Sequence, residues 1–159
     1  MADANDTIIE CADLTSVSYF GDGWTTRSAT GFHDVRFTEF DGVSFKFKFV
    51  GDRFGYYGSV ESHYDNFSVA IDGVIVAPSL PAYRAVPSYL ELLYSQTVDP
   101  GSHAVTITNV PLSLPTLFTL CLDYATFRPM STEDPGINDT VVFVMGSSTS
   151  PGTPTTNES

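Results

Sequence analysis

Ser59, His63 and Asp65 stand close together in a chain of 159 residues, and they are the residue types of a nucleophile, its base and an orienting acid. Neighbours in sequence do not make a triad, because the geometry needs side chains that converge. No Gly-x-Ser-x-Gly elbow occurs, and an acid pair for glycoside hydrolysis cannot be recognised without geometry. His33, His63 and His103 lack the ligand spacing of a zinc site. The chain therefore reads as non-catalytic, with a small glycan-active hydrolase as an alternative. A second constellation fits binding better. Asp22, Trp24, Glu61, His63, Tyr64, Asp65, Tyr83 and Arg84 all fall in predicted loops. Aromatic faces stack on the C–H groups of a sugar ring, and carboxylates and Arg bond its hydroxyls. The plainer alternative is that Trp24, Tyr64 and Tyr83 are core aromatics.

These residues can meet only if the elements between them bring the loops to one end. The stretch from Val43 to Gly73 shows which elements those are. Phe45, Phe47 and Phe49 alternate with Ser44, Lys46 and Lys48, the period of a half-buried strand. Phe54–Ser59 and Phe67–Ile71 follow as strands. Further candidates are Thr7–Ala12, Val17–Phe20, Thr25–Thr30, Asp34–Glu39, Val74–Ala77, Tyr89–Ser95, His103–Thr108 and Phe118–Phe127. Asp41-Gly42 and Asp72-Gly73 favour the positive φ angles of tight hairpin turns, and Pro100-Gly101 marks another turn. Phe67, Val69, Ile71, Val105 and Ile107 are expected to face inward, as are Phe118, Leu120, Leu122 and Tyr124. The pattern predicts an all-β, antiparallel, two-sheet β-sandwich of the jelly-roll kind. Loops 21–24, 40–42, 60–65, 78–88 and 110–116 then share one end.

Composition limits the partners. There are 19 acidic and 7 basic residues, a formal charge of −12. Nucleic acid or an anionic membrane would need a basic patch, and none is visible. No run of apolar residues is long enough to span a bilayer, and the first residues do not form a signal peptide. Four Asn-x-Ser/Thr sequons, at Asn5, Asn66, Asn138 and Asn157, point to an extracellular or cell-surface glycoprotein. Cys11 and Cys121 lie in the first and last candidate strands of the sandwich. A disulfide between them would close a long loop and stabilise the fold by roughly 4–5 kcal/mol; two free buried thiols are the alternative.

The organisation expected is a jelly-roll domain over residues 1–128, a turn-rich extension over 129–145, and a tail over 146–159. Val141–Met145 could add a strand to the extension. The tail is rich in Ser, Thr, Pro and Gly and reads as disordered, like the start of a stalk.

The order of pieces resembles a known family. "FVGDRFGYYGSV" (residues 49–60), "NFSVAIDG" (66–73), "LELLYSQTVDPGSHAVTITNV" (90–110) and "LDYATF" (122–127) follow an aromatic region at Tyr19 and Trp24. Together they resemble the galactose-binding-like jelly-roll domain at the front of many fungal, basidiomycete-type surface proteins. The resemblance implies a binding module, often followed by a Ser/Thr-rich stalk and a membrane helix. Sugar-binding jelly rolls of this kind commonly hold structural calcium on acids near the first and last strands, which here implies Glu10, Asp13 and Asp123. An in-register Cys11–Cys121 bridge would set Asp13 opposite Thr119 and Asp123 opposite Ile9, roughly 13 Å apart at ~3.4 Å per residue. The two could not then share an ion. Loop carboxylates such as Asp22 and Asp65 are the other candidate ligands.

The reading that follows is a carbohydrate-binding module that recognises a glycan or surface glycoprotein through one loop end. A structural or protein-interaction ectodomain, self-associating as a homodimer through an exposed sheet face, is the alternative from another class.

Overall fold

A computed structural model describes residues 5–130, apart from 29–33, 41, 63 and 111–118. His33, His63, Phe118, Asn138, Asn157, the Val141–Met145 segment and the tail lie outside the described residues. Among the described residues ten strands form: β1 (Thr7–Glu10), β2 (Val17–Phe20), β3 (Thr25–Arg27), β4 (Val35–Thr38), β5 (Ser44–Val60), β6 (Asn66–Ile71), β7 (Val74–Pro81), β8 (Ser88–Val110), β9 (Leu120–Leu122) and β10 (Tyr124–Pro129). One sheet has the order β1-β10-β5-β8-β6-β7, with β2 also on β5. The other has the order β3-β4-β9. All the strand pairs within them are antiparallel. The fold is the all-β jelly-roll sandwich that the alternating pattern predicts.

Two long strands carry the architecture. The sequence divides β5 into two runs separated by Gly51-Asp52, and β8 into two separated by Pro100-Gly101. In the structure each pair of runs is one continuous strand with a bulge. Gly51 pairs with Gly101 and Arg53 with Thr97, so Asp52 faces the extra residues Val98, Asp99 and Pro100. A bulge shifts the side-chain alternation by one. Phe45, Phe47 and Phe49 point inward before it, and Phe54 and Tyr56 point inward after it; all five are buried. Their rings run as a chain, with neighbouring centroids 5.4 Å (Phe45–Tyr56), 5.9 Å (Phe47–Phe54) and 5.8 Å (Phe49–Phe54) apart. Each such ring removed from water is worth about 1.5–3 kcal/mol, so this row anchors the core. Phe67, Val69, Ile71, Val105 and Ile107 complete it, as the alternation predicts.

Turn chemistry accounts for the β6–β7 hairpin. Asp72 has φ 51° and Gly73 φ 84°, both positive, as a two-residue hairpin turn of this kind requires. The Asp72 carboxylate also accepts the Ala104 amide at 2.8 Å and meets His103 Nδ1 at 2.7 Å, which ties the turn to β8.

The expected strand Phe118–Phe127 is two strands on two sheets. β9 pairs with β4, β10 pairs with β1 and β5, and Asp123 sits at the break. The break resets the alternation. Ala125 is buried, while Tyr124 leaves the inward set and stacks on Tyr57 at 4.5 Å.

The same break removes the basis for the disulfide. Glu10 lies opposite Tyr124 on β10, whereas Cys121 lies opposite Phe37 on β9. Both thiols are free and buried. Cys11 donates to the Asp34 carbonyl at 3.0 Å, and Cys121 donates to Asp123 Oδ1 at 3.3 Å. Burial pushes the Cys11 thiol up to about 11 and Cys121 well above its ordinary value. Ile9 faces Ala125, not Asp123.

Candidate ligand-binding site

The predicted loops converge in part. Glu61 bridges to Tyr83, and the Arg84 amide bonds the Glu61 carbonyl at 3.0 Å, so the β5–β6 and β7–β8 connections touch. The Asn109 side-chain amide donates to the Phe40 carbonyl at 3.0 Å, and Thr38 Oγ1 donates to the Asp22 carbonyl at 3.0 Å. These bonds tie the loop after β4 to the end of β8, and the loop after β2 to the end of β4.

A cavity of about 330 Å³ opens beside this junction. One wall is the small sheet, with Arg27 from β3, Val35 and Phe37 from β4, and Glu39 just beyond it. The opposite wall is the end of β5, with Ser59, and Glu61 and Tyr64 after it. Tyr89 and Leu90 at the start of β8 form one side, and Thr119 and Asp123 flanking β9 form the floor. Arg27 lies over the Phe37 ring, 4.9 Å from its centroid. Tyr89 is 54% exposed. Tyr64 is buried against the core, and that burial holds its phenol well above the ordinary value. Its O–H therefore stays protonated.

The floor is built around Asp123, which is fully buried. Its Oδ2 accepts the Leu90 amide at 3.0 Å, and its Oδ1 lies 3.5 Å from the Ser59 hydroxyl. Leu90 has φ 57°, a left-handed conformation that costs a bulky L-residue about 1–2 kcal/mol. The bond from Asp123 holds that conformation. Strain of this kind collects where a backbone must present groups to a site. Aromatic rings, hydroxyls, carboxyl groups and one guanidinium thus share a concave surface, the mixture that bonds a polar ligand and stacks on its apolar face.

The sequence-predicted ligand residues divide. Tyr64 lines the cavity, and Glu61 does so beside it. Trp24 packs on the core instead, with its ring centroid 4.8 Å from Tyr19 and its Nε1 donating to the Phe20 carbonyl. Asp22 is exposed in the β2–β3 loop and does not line the cavity. Asp65 is buried, and its Oδ1 accepts the Asn66 amide at 3.2 Å. Tyr83 is exposed beside the cavity, and Arg84 pairs with Glu91 at 3.3 Å. His63 lies outside the described residues. Of the sequons, Asn5 is exposed, and Asn66 is half-buried with its Nδ2 donating to Ser79.

Sequence reasoning missed Arg27, Phe37, Glu39, Tyr89 and Asp123 as lining residues. Four of them belong to or adjoin strands whose outward positions carry no signal of their own. Asp123 did carry one: an acid in the middle of an apolar run needs a buried partner.

The described acids proposed as calcium ligands do not gather at one point. Among the described residues, no group of three or more His, Cys, Asp or Glu side chains could hold a metal. Asp13 turns back on Thr15, with a 2.6 Å bond to its hydroxyl, while Asp123 is committed to Leu90. Asp22 and Asp65 are likewise apart in role, one exposed and one buried.

The fold defines the class: a jelly-roll sandwich shared with carbohydrate-binding modules. It is similar to a family 35 carbohydrate binding module from Clostridium thermocellum (TM-score 0.54, 10% identity), covering 77% of this chain and 97% of that one. It is also similar to the CBM36-1 domain of a multidomain xylanase from the hindgut metagenome of Trinervitermes trinervoides (TM-score 0.51, 15% identity), covering 77% and 95%. A GH26-CBM35 β-(1,4)-mannanase of Podospora anserina matches at TM-score 0.51 and 12% identity over 84% of this chain and 29% of that one. The Agl-KA catalytic domain matches similarly (TM-score 0.51, 14% identity), and the match spans only 28% of its chain. No family model matches the sequence, and no curated protein does. At these identities the likeness establishes the fold alone, a jelly-roll sandwich.

Proposed function

We propose that this chain is a non-catalytic, extracellular carbohydrate-binding module that takes part of a glycan into the cavity between the small sheet, the end of β5 and the start of β8. The observation that carries the reading is the cavity itself. An exposed aromatic, Tyr89, stands over a floor where Asp123 holds Leu90 in a left-handed conformation. Stacking on Tyr89 and bonds to Glu39, Glu61 and the Tyr64 phenol would supply the contacts a sugar needs. The modules with which it shares its fold support the class. The four sequons support the extracellular location, and no helix among the described residues is long and apolar enough to cross a membrane. Kinship with fungal surface proteins, and the division into a domain over 1–128, an extension and a stalk-like tail, belong to this proposal.

A glycan-array screen of the purified chain, with calcium and again with EDTA, tests it. A hit that Tyr89→Ala weakens by about 1–3 kcal/mol, with the melting temperature unchanged, is the expected result. A blank array on folded protein would refute it. The blank would favour the interaction-ectodomain reading, for which one observation speaks: Val74, Ile75 and Val76 are exposed on the edge strand β7. Such an edge can add a strand from a second copy.

A further inference from the structure

The charges around the cavity deepen that reading and rest on it. We infer that the glycan taken by this site carries free amino groups, as an oligomer of hexosamine without N-acetyl caps does. Among the described residues that line the cavity, Glu39 and Glu61 bring two carboxylates and Arg27 the one guanidinium, which lies over the Phe37 ring at 4.9 Å. Asp123 adds a carboxyl group at the floor.

The rest of the molecule reinforces the sign. Against 19 acidic residues there are 7 basic ones. Arg53 is paired with Asp6 at 2.8 Å, Arg84 with Glu91 at 3.3 Å and Arg128 with Asp52 at 2.6 Å. Lys46 and Arg36 lie over the rings of Phe20 and Tyr19. Lys48 is exposed on β5, and the net charge of −12 still leaves the acids in large excess; a concave site concentrates such a field. A uronic acid or sulfated sugar would bring an anion into that field. A neutral sugar would gain nothing from it. An ammonium group gains from Glu39 and Glu61 at short range, from the aromatic face of Tyr89, and from the long-range field during approach.

The test compares three tetrasaccharides by calorimetry: β-1,4-linked glucosamine, its N-acetylated counterpart and galacturonate. It is run at about pH 6, below the range in which amines of this kind lose their proton. At low salt the amino form should bind about 5-fold tighter than the N-acetyl form, or more, and the advantage should shrink at ~0.5 M salt. Glu61→Gln and Glu39→Gln should each remove much of the preference. Asp99→Asn makes the same change of net charge outside the cavity lining and should keep it. Thermal melts confirm that each variant is folded. Equal affinity for the amino and N-acetyl forms, or a preference for galacturonate, overturns the inference and leaves the carbohydrate reading standing. So does an equal loss in Asp99→Asn and Glu61→Gln, which would mark diffuse charge attraction. If none of the three sugars and no glycan on the array binds, both readings fall.

Discussion

Gly51→Ala should be the most damaging single-methyl addition in this fold, and the structure says by how much. A Cβ built on Gly51 would stand 2.1 Å from the carbonyl oxygen of Arg128 on β10. An ordinary carbon–oxygen contact needs more than 3 Å, so backbone must move by about 1 Å. The obstacle is itself part of a ladder: Gly51 pairs with Pro129 on one side and Gly101 on the other. Relief means losing one or two ladder hydrogen bonds at ~1 kcal/mol each and straining the bulge that turns Phe54 and Tyr56 inward. The expected loss is ~3 kcal/mol, roughly 10–15 °C in melting temperature for a domain of this size. Gly42→Ala is the matched control. Its Cβ meets nothing within 4 Å, but Gly42 has φ 70°, so only left-handed strain of about 1 kcal/mol applies. Urea and thermal unfolding of both variants measure the difference. If Gly51→Ala costs no more than Gly42→Ala, the close approach of β10 to the bulge is not what shapes the sandwich.

Three further outcomes are expected. Mass spectrometry of alkylated, unfolded protein should find two free thiols without reduction, and a reductant should leave the melting temperature unchanged. In the native state both thiols should react slowly with iodoacetamide near pH 8, because burial holds Cys11 at about 11 and Cys121 well above its ordinary value. Stability should depend on pH through the His103–Asp72 pair. Bonds to the Asp72 carboxylate and the Asp99 carbonyl raise His103 above 6.5, so its contribution is full below 6.5 and fades as pH rises through the raised value. Asp72 is depressed below 3.8, chiefly by the Ala104 amide and then by His103, so its share fades as pH falls through the depressed value. His103→Asn should therefore lower the melting temperature at pH ~5.5 and matter little at pH ~9; equal effects at both would break the argument. Asp123→Ala should release the Leu90 amide, seen as faster hydrogen exchange there and a stability loss of about 1–2 kcal/mol.

Much of the fold was legible because strands write themselves in a period of two. Phe45, Phe47, Phe49, Phe67, Val69, Ile71, Val105 and Ile107 were readable as inward residues from alternation alone, and Asp72-Gly73 as a tight turn from the φ preferences of those two residues. The pattern stopped being readable where alternation reset. At Asp123 a strand that looks continuous divides between two sheets, and with it went the inward assignment of Tyr124 and the Cys11–Cys121 pairing. At Gly51-Asp52 and Pro100-Gly101 the reverse happened: turn residues that look like ends are bulges within β5 and β8.

The candidate site shows the same limit. Tyr64 and Glu61 were found because an aromatic and an acid beside a strand end already suggest a binding loop. Trp24 was placed in a loop cluster by its chemistry, but it is partly buried and packs on Tyr19 against the core. Arg27, Phe37 and Glu39 come from the small sheet, Tyr89 and Leu90 from β8, and Asp123 from the break between β9 and β10. Nothing local in the chain relates these segments. Side-chain period and turn preference are properties of a few consecutive residues, so the sequence by itself determined the strand faces, the hairpin turn and the negative charge. Which strand lies beside which, where the bulges fall and which side chains enclose the cavity depend on long-range pairing and close packing, and only the tertiary structure decided them.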